Sequence, residues 1–220
     1  INADDLTPGG CGPEELLEAA RAFVAAGRLD FLSVSVGTYH GEGLSIMVGD
    51  HGYAPGFIAG NARAFKEAFP DLAVMTVGRI VTPALAESIL ARGDADLVCV
   101  TRGMIADPQW PAKAAAGQAE RIRPCIACNL CLTMNRAITP ITCAVNPACG
   151  EELRYGTGQA RPVVQLKRVV VIGGGVAGLE AARSAAERGH RVVLHERRNE
   201  LGGQLALLAR TRHRAELRSL

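Results

Sequence analysis

The sequence predicts an α/β chain of two unlike halves joined by a cysteine-rich segment, and three observations predict it. Upstream of residue 118, short apolar runs alternate with amphipathic stretches at helical spacing. Between residues 125 and 143 lie four of the chain's 7 cysteines, with no histidine among them. Beyond Lys167 a hydrophobic run, KRVVVI, enters the glycine-rich turn GGGVAG.

In the first half, Leu16, Leu17, Ala20, Phe23 and Val24 recur at helical spacing between Glu14 and Ala26, with Pro13 to start the helix and Gly27 to stop it. Residues 30–36, DFLSVSV, read as a buried strand. The unit then repeats: a helix over 57–69, a strand over 72–78, a helix over 83–91, a strand over 96–101 and a further helix after Pro108. Strands and helices that alternate through short loops imply a parallel sheet, because each crossover returns to the same edge. A doubly wound sheet and a (β/α)8 barrel both satisfy the pattern, and the strand ends separate them. Gly78-Arg79-Ile80 follows one strand and Thr101-Arg102-Gly103 the next. Two consecutive βα turns thus offer backbone N–H groups and a guanidinium, as barrels do at their phosphate site. Solvation, or pairing with an acid such as Asp107, is the alternative role for these arginines.

Cys125, Cys128, Cys131 and Cys143 stand in RPCIACNLCLTMNRAITPITC. Three thiolates two residues apart can wrap one loop around three corners of an iron–sulfur cubane, and a fourth after a short excursion closes it. A C-x2-C-x2-C run is crowded for one tetrahedral zinc, which stays open as the second reading. An oxidised secreted scaffold fits poorly, since the cysteine count of 7 is odd and no signal peptide is seen. Cys11 and Cys99 read as ordinary loop and core thiols, and Cys149 as a spare near the segment.

Downstream, strand 167–172 leads into Gly173-Gly174-Gly175-Val176-Ala177-Gly178, a helix follows, and a second strand, RVVLHE, ends at Glu196. In this context Gly173 allows the tight turn, Gly175 the approach of a pyrophosphate, and Gly178 close packing of helix on strand. Glu196 is placed to accept hydrogen bonds from ribose hydroxyls, which disfavours a 2′-phosphate there.

At 220 residues and 48% hydrophobic the chain can bury a core of one to two domains. Its longest apolar stretches are too short and glycine-rich for a membrane helix. A net charge of +2 and 4% aromatics carry no nucleic-acid signature. The chain opens on INADD as though leaving a strand and closes in RTRHRAELRSL at helical spacing, which reads as part of a longer polypeptide.

The order of these parts resembles the family of NADH:flavin oxidoreductases, which unites 2,4-dienoyl-CoA reductase, clostridial enoate reductases and trimethylamine dehydrogenase. The resemblance rests on VGRIVTPALAESILARGDADLVCVTRGMIADPQWPAKAAAG, then RPCIACNLCL and CAVNPACGEE, then KRVVVIGGGVAGLEAA and ELGGQL, and covers essentially the whole chain. It implies the C-terminal half of an FMN-binding (β/α)8 TIM barrel of Old Yellow Enzyme type over residues 1–118. A 4Fe-4S cluster segment over 119–160 and the start of a Rossmann-like FAD/NAD(P)-binding domain over 161–220 would follow. Carried over by position, Gly78, Arg79, Thr101 and Arg102 surround the FMN phosphate. Cys125, Cys128, Cys131 and Cys143 hold the cluster, and Gly173, Gly175, Gly178, Glu196, Gly203 and Gln204 hold FAD.

The activity so implied is reduction of an activated C=C bond by a relay from NAD(P)H through FAD and the cluster to FMN, in a cytoplasmic enzyme acting on a small molecule. No nucleic-acid or membrane partner is implied. His40, in GTYHGEG directly after a strand, matches the position of a histidine in the dienoyl-CoA reductases and is the catalytic candidate. Those reductases carry an extra residue between the second and third cysteines, whereas Cys128 and Cys131 have the tighter spacing of the amine dehydrogenases. An amine dehydrogenase passing electrons outward to an external acceptor is therefore the alternative. A non-catalytic electron-transfer or zinc-binding module is the third.

Overall fold

Why the first half folds as it does is visible at its helix starts. The computed structural model describes residues 1–159, 163–211, 214, 217 and 218. Helix α1 (Pro13–Ala25) has proline at its first position and Glu14 and Glu15 in its first turn. There they complement the positive helix end, and Glu15 also accepts from the Gly12 N–H at 2.8 Å. Strand β1 (Phe31–Val34) follows, then α2 (Gly41–Met47), a 3-10 turn running into α3 (Arg63–Ala68), β2 (Ala73–Thr76), and α4 (Pro83–Ala91). The Thr82 hydroxyl caps α4 by accepting from the Leu85 N–H at 3.2 Å. Strand β3 (Leu97–Val98), α5 (Thr101–Ala106) and α6 (Trp110–Ala115) complete the series.

The three strands are parallel and stand in sequence order, β1-β2-β3, and a parallel bridge from Asn2 to Ser35 adds the N-terminal segment outside β1. No reversal of order occurs among these strands, as a barrel requires and as the switch point of a doubly wound sheet does not. Register places Val34 opposite Thr76 and Thr76 opposite Val98, and this row faces the helices. There Leu32, Val34 and Val74 pack with Phe65, Ile89 and Trp110 in the core. The row Ser33, Met75, Leu97 lies on the other face, where Leu97 and Phe31 are exposed by 45% and 47%. The C-terminal strand ends, where the candidate residues gather, follow directly from this parallel order.

The chain divides into two units, Ile1–Asn129 and Leu130–Leu220. In the second, α7 (Leu130–Arg136) and α8 (Glu152–Tyr155) precede a βαβ unit of β4 (Arg168–Ile172), α9 (Val176–Glu187) and β5 (Arg191–His195), and α10 (Gln204–Leu208) follows. Strands β4 and β5 are parallel and aligned over all five residues, Arg168 with Arg191 through Ile172 with His195.

Three expectations change. Thr101-Arg102-Gly103 is not a loop but the first turn of α5, because β3 stops at Val98. The GTYHGEG segment ends in a helix, α2, and Cys131 stands on α7 instead of in an open loop. The expected boundary between residues 160 and 161 lies outside the described residues, as does most of the expected closing helix. Among the described residues no helix is long and apolar enough to cross a membrane.

Candidate functional site

Glycine is obligatory at 78 for a steric reason. Its φ is +126°, and a Cβ there would lie 2.0 Å from Cγ1 of the buried Ile58. Arg79 follows with φ +52° and is itself buried, its guanidinium donating to the Tyr53 carbonyl. Arg102, on α5, donates to the Gly49 carbonyl at 2.9 Å and to Oδ1 of Asn129. The Gly56 N–H in turn donates to the carbonyls of Gly78 and Arg79 at 3.1 and 3.2 Å. Both arginines are therefore held by carbonyls of one loop, residues 48–57, and neither pairs with Asp107. With two bonds made, Arg102 retains further N–H donors suited to an anion. Thr101 stands at the start of α5, its hydroxyl 3.5 Å from the Cys99 sulfur.

Asp107 has a different task. It accepts from Lys113 at 2.6 Å, from the Arg123 N–H at 2.9 Å and from the Gln109 N–H at 3.0 Å. Burial works to raise this carboxyl, but the Lys113 ammonium and the two N–H groups outweigh it and hold the pKa below its ordinary value. Lys113 also donates to the Arg121 carbonyl at 2.9 Å, so the ion pair pins the segment that leads into the cysteines.

In that segment Ala127 and Asn129 have φ of +49° and +57°, a left-handed conformation rare outside glycine. The Ala127 N–H points at the Cys125 sulfur, 3.4 Å away. A turn that aims backbone N–H at thiol sulfur suits a thiolate ligand, and none of the four cysteines is in a disulfide. Cys125 and Cys128 belong to the first unit and Cys131 and Cys143 to the second. Among the described residues no three His, Cys, Asp or Glu side chains converge into a metal-holding group, so the fit rests on donor chemistry and turn geometry. Burial pushes the Cys149 thiol up, and Cys143 beside it adds to the shift.

The second unit builds its site from backbone. Gly173 has φ +102° and donates to the His195 carbonyl at 2.7 Å. Gly175 caps α9, and the space a Cβ would take there is open, which leaves room for a pyrophosphate at the helix N-terminus. A Cβ on Gly178 would lie 1.9 Å from the Gly173 carbonyl oxygen. Glu196 accepts from the Gly174 N–H at 2.6 Å and from the Arg198 N–H at 2.9 Å. The N–H groups of Arg198 and Gly174 hold its carboxyl below the ordinary 4.5. Gly203 and Gln204 open α10 and, with Glu196, Arg197, Arg198 and Leu207, line a cavity of about 400 Å³. Glu196 is thus tied to the glycine turn through the Gly174 N–H and lines the same cavity as Gly203 and Gln204.

His40 is exposed at the start of α2, and its carbonyl accepts weakly from the Thr38 hydroxyl at 3.5 Å. Tyr39 is 78% exposed beside it.

Comparison with known proteins agrees with this assembly. The model of the NADH:flavin oxidoreductase / NADH oxidase family matches residues 57–121, and that of the FAD dependent oxidoreductases matches residues 168–211. NADH oxidase of Thermoanaerobacter brockii is 39% identical across 99% of this chain. The chain belongs to the NADH:flavin oxidoreductase family. Its first half is part of an Old Yellow Enzyme-like barrel, and the family's members are flavin-dependent oxidoreductases. A 2-naphthoyl-CoA reductase complex superposes on 100% of the chain with a TM-score of 0.89 at 32% identity. Histamine dehydrogenase from Rhizobium sp. 4-9 does so over 100% with a TM-score of 0.85 at 27% identity. The chain spans about a third of the length of these relatives, 33%, 33% and 31% respectively.

Sequence reasoning missed Asn129, Gly174 and the loop 48–57. Gly174 was signalled by the unbroken glycine triplet: a Cβ there would lie 2.5 Å from Leu201 Cδ2. Asn129 was signalled only by asparagine's tolerance of left-handed backbone. The loop acts through carbonyls and leaves no mark in side-chain pattern.

Proposed function

We propose that this chain carries the cofactor sites of an NAD(P)H-dependent reductase acting on an activated C=C bond, of the enoate or enoyl-thioester class. The observation that supports it is the presence, in one chain, of barrel phosphate turns, a four-thiol segment and a dinucleotide loop, together with whole-chain superposition on a CoA-thioester reductase. The division follows: FMN on residues 1–118, a 4Fe-4S cluster on 119–160, and FAD, in exchange with NAD(P)H, from 161 onward. Flavins interconvert two-electron and one-electron transfer, and a cluster carries electrons singly, which is the chemistry these groups supply when bound.

The chain's own residues have distinct tasks. Gly78, Arg79, Thr101 and Arg102 orient the FMN phosphate with backbone N–H and guanidinium donors. Cys125, Cys128, Cys131 and Cys143 supply the thiolates. Gly173, Gly175 and Gly178 admit a pyrophosphate to the N-terminus of α9, while Glu196 accepts from ribose hydroxyls and Gly203 and Gln204 close over the site. His40 at the strand end holds the proton destined for the carbon next to the reduced position. Free thiols for a cluster suit the reducing cytoplasm.

The spacing of Cys128 and Cys131, with the histamine dehydrogenase superposition, favours amine oxidation as the second reading, the electrons then leaving for an external acceptor. Anaerobic stopped-flow on the full-length protein separates them. Bleaching of flavin absorbance by NAD(P)H, with reoxidation by an enoate or enoyl thioester, is expected. Bleaching by an amine and none by NAD(P)H would replace the first reading with the second. Metal analysis should return about four irons per chain. One zinc and no iron would leave only a zinc-organised module. In the His40→Ala variant FMN should stay bound while reoxidation by substrate slows roughly a hundredfold. An unchanged rate would remove His40 from the chemistry.

A further inference from the structure

The Arg102 guanidinium and the Asn129 amide form a closed arrangement that links the start of α5 to the cysteine turn. Arg102 donates through one arm to the Gly49 carbonyl and through the other to Asn129 Oδ1. Asn129 donates from Nδ2 to the Val48 carbonyl at 3.2 Å, so both ends of its amide are used. The two side chains thus grip each other and two consecutive carbonyls of one loop. Asn129 follows Cys128 directly and holds φ +57°, two residues after Ala127 at +49°, whose N–H faces the Cys125 sulfur. An anion that takes the remaining N–H donors of Arg102 pulls on the same guanidinium that makes these bonds. A change in the turn 125–129 as its thiols take ligands must strain the same bonds from the other end. Two events that act on one set of bonds are thermodynamically linked, and the linkage is reciprocal.

We propose that Asn129 is a positioning residue that couples phosphate binding at Arg102 to the conformation of the cysteine turn 125–129, so that FMN and the cluster bind with mutual dependence. The inference rests on the reading that Arg102 takes the FMN phosphate and that Cys125 and Cys128 are cluster ligands. Asparagine meets three demands at once. It accepts from an arginine, donates to a carbonyl and tolerates left-handed backbone. Aspartate keeps the first of these bonds and loses the second, while glycine keeps the backbone and loses both.

The experiment uses full-length protein, cluster-loaded and after removal of iron with a chelator, titrated with FMN and followed by quenching of flavin fluorescence. Wild-type protein should bind FMN about tenfold more tightly when loaded. In Asn129→Gly, which leaves the turn's backbone unstrained, the ratio should fall to about one, and Asn129→Asp should restore part of it. A second readout needs no cluster. Adding FMN to the iron-free wild type should slow hydrogen exchange at the amides of 125–129, and should not do so in Asn129→Gly. The same ratio in wild type and Asn129→Gly, a wild-type ratio of one with FMN and iron both bound, or slowed exchange in both proteins would overturn the coupling alone. A wild type that binds no FMN, or no iron, would overturn the underlying reading and the coupling with it.

Discussion

Two regions of this molecule are proposed to hold a phosphate, and they are built from different materials. The barrel turns after β2 and β3 present Arg79 and Arg102, cations fixed by carbonyls of the 48–57 loop. The turn after β4 presents no cation among Gly173–Gly178; it offers the bare N-terminus of α9 and open space above Gly175. A guanidinium supplies charge and needs an outer scaffold to aim it. A helix terminus supplies aligned N–H groups and needs only the absence of side chains. The first solution is distributed over three stretches of chain, and the second is local. Perturbation of the barrel turns should therefore spread through the first unit, whereas perturbation of the glycine turn should stay confined.

The largest test of that contrast is Gly78→Ala. A methyl 2.0 Å from Ile58 Cγ1 on a backbone with φ +126° combines overpacking with strain, and we expect the first unit to lose about 3–5 kcal/mol in chemical denaturation. Gly178→Ala, 1.9 Å from the Gly173 carbonyl, should release FAD while the first unit's transition stays put. A common shift of both transitions would break the comparison. Next in size, Asp107→Ala should cost about 3 kcal/mol, because it strands the Lys113 ammonium in a site where the Asp107 side chain is only 6% exposed. The native pKa of Asp107 is lowered from 3.8, so its contribution is present above 3.8 and is lost as pH falls through the lower native value. Acid titrations of the two proteins should converge only below pH 3.8.

A smaller and sharper effect is expected of Arg102→Ala. Loss of a charge-assisted bond should weaken FMN retention by about 1.5–3 kcal/mol and leave FAD retention unchanged, read by released-flavin chromatography. Equal loss of both flavins would mean that the two turns are not independent solutions. The smallest effect belongs to Glu196. Its carboxyl titrates below 4.5, so FAD retention should stay flat from neutral pH down to about pH 5. A fall in retention within that window would assign the ribose contact elsewhere.

The same contrast explains what the sequence disclosed. GGGVAG between an apolar strand and a helix could be read directly, because Gly173 holds φ +102° and a Cβ on Gly178 would meet the carbonyl oxygen of Gly173 within the same short turn. Strands β1 and β2 were legible as short apolar runs between helical stretches, and both appear, shorter at their ends than expected. The third strand was overextended. Residues 96–101 read as one apolar run, but helical geometry already begins at Thr101. Helix α2 was missed because two glycines in GEGLSIM depress helical propensity, while Ile46 packing on the core supplies the compensation. Arg79 and Arg102 were visible as residue types, but their partners were not. Asp107 was the natural acid to propose, and it is engaged by Lys113.

Loop 48–57 carries a consequence for how this molecule can change over generations. Val48, Gly49 and Tyr53 meet Asn129, Arg102 and Arg79 through main-chain oxygens, and an oxygen of that kind is blind to the side chain beside it. Position 48 is therefore free to drift while the grip persists, whereas Tyr53 also packs its ring on Phe57, with centroids 4.7 Å apart. Gly49 and Gly56 are the anchors of that freedom. A Cβ on the first would lie 2.6 Å from the Phe57 ring, and the second holds φ +73°. A library randomised at 48, 50 and 54 should retain many folded members, so that the surface of this loop can change without first dismantling the contacts beneath it.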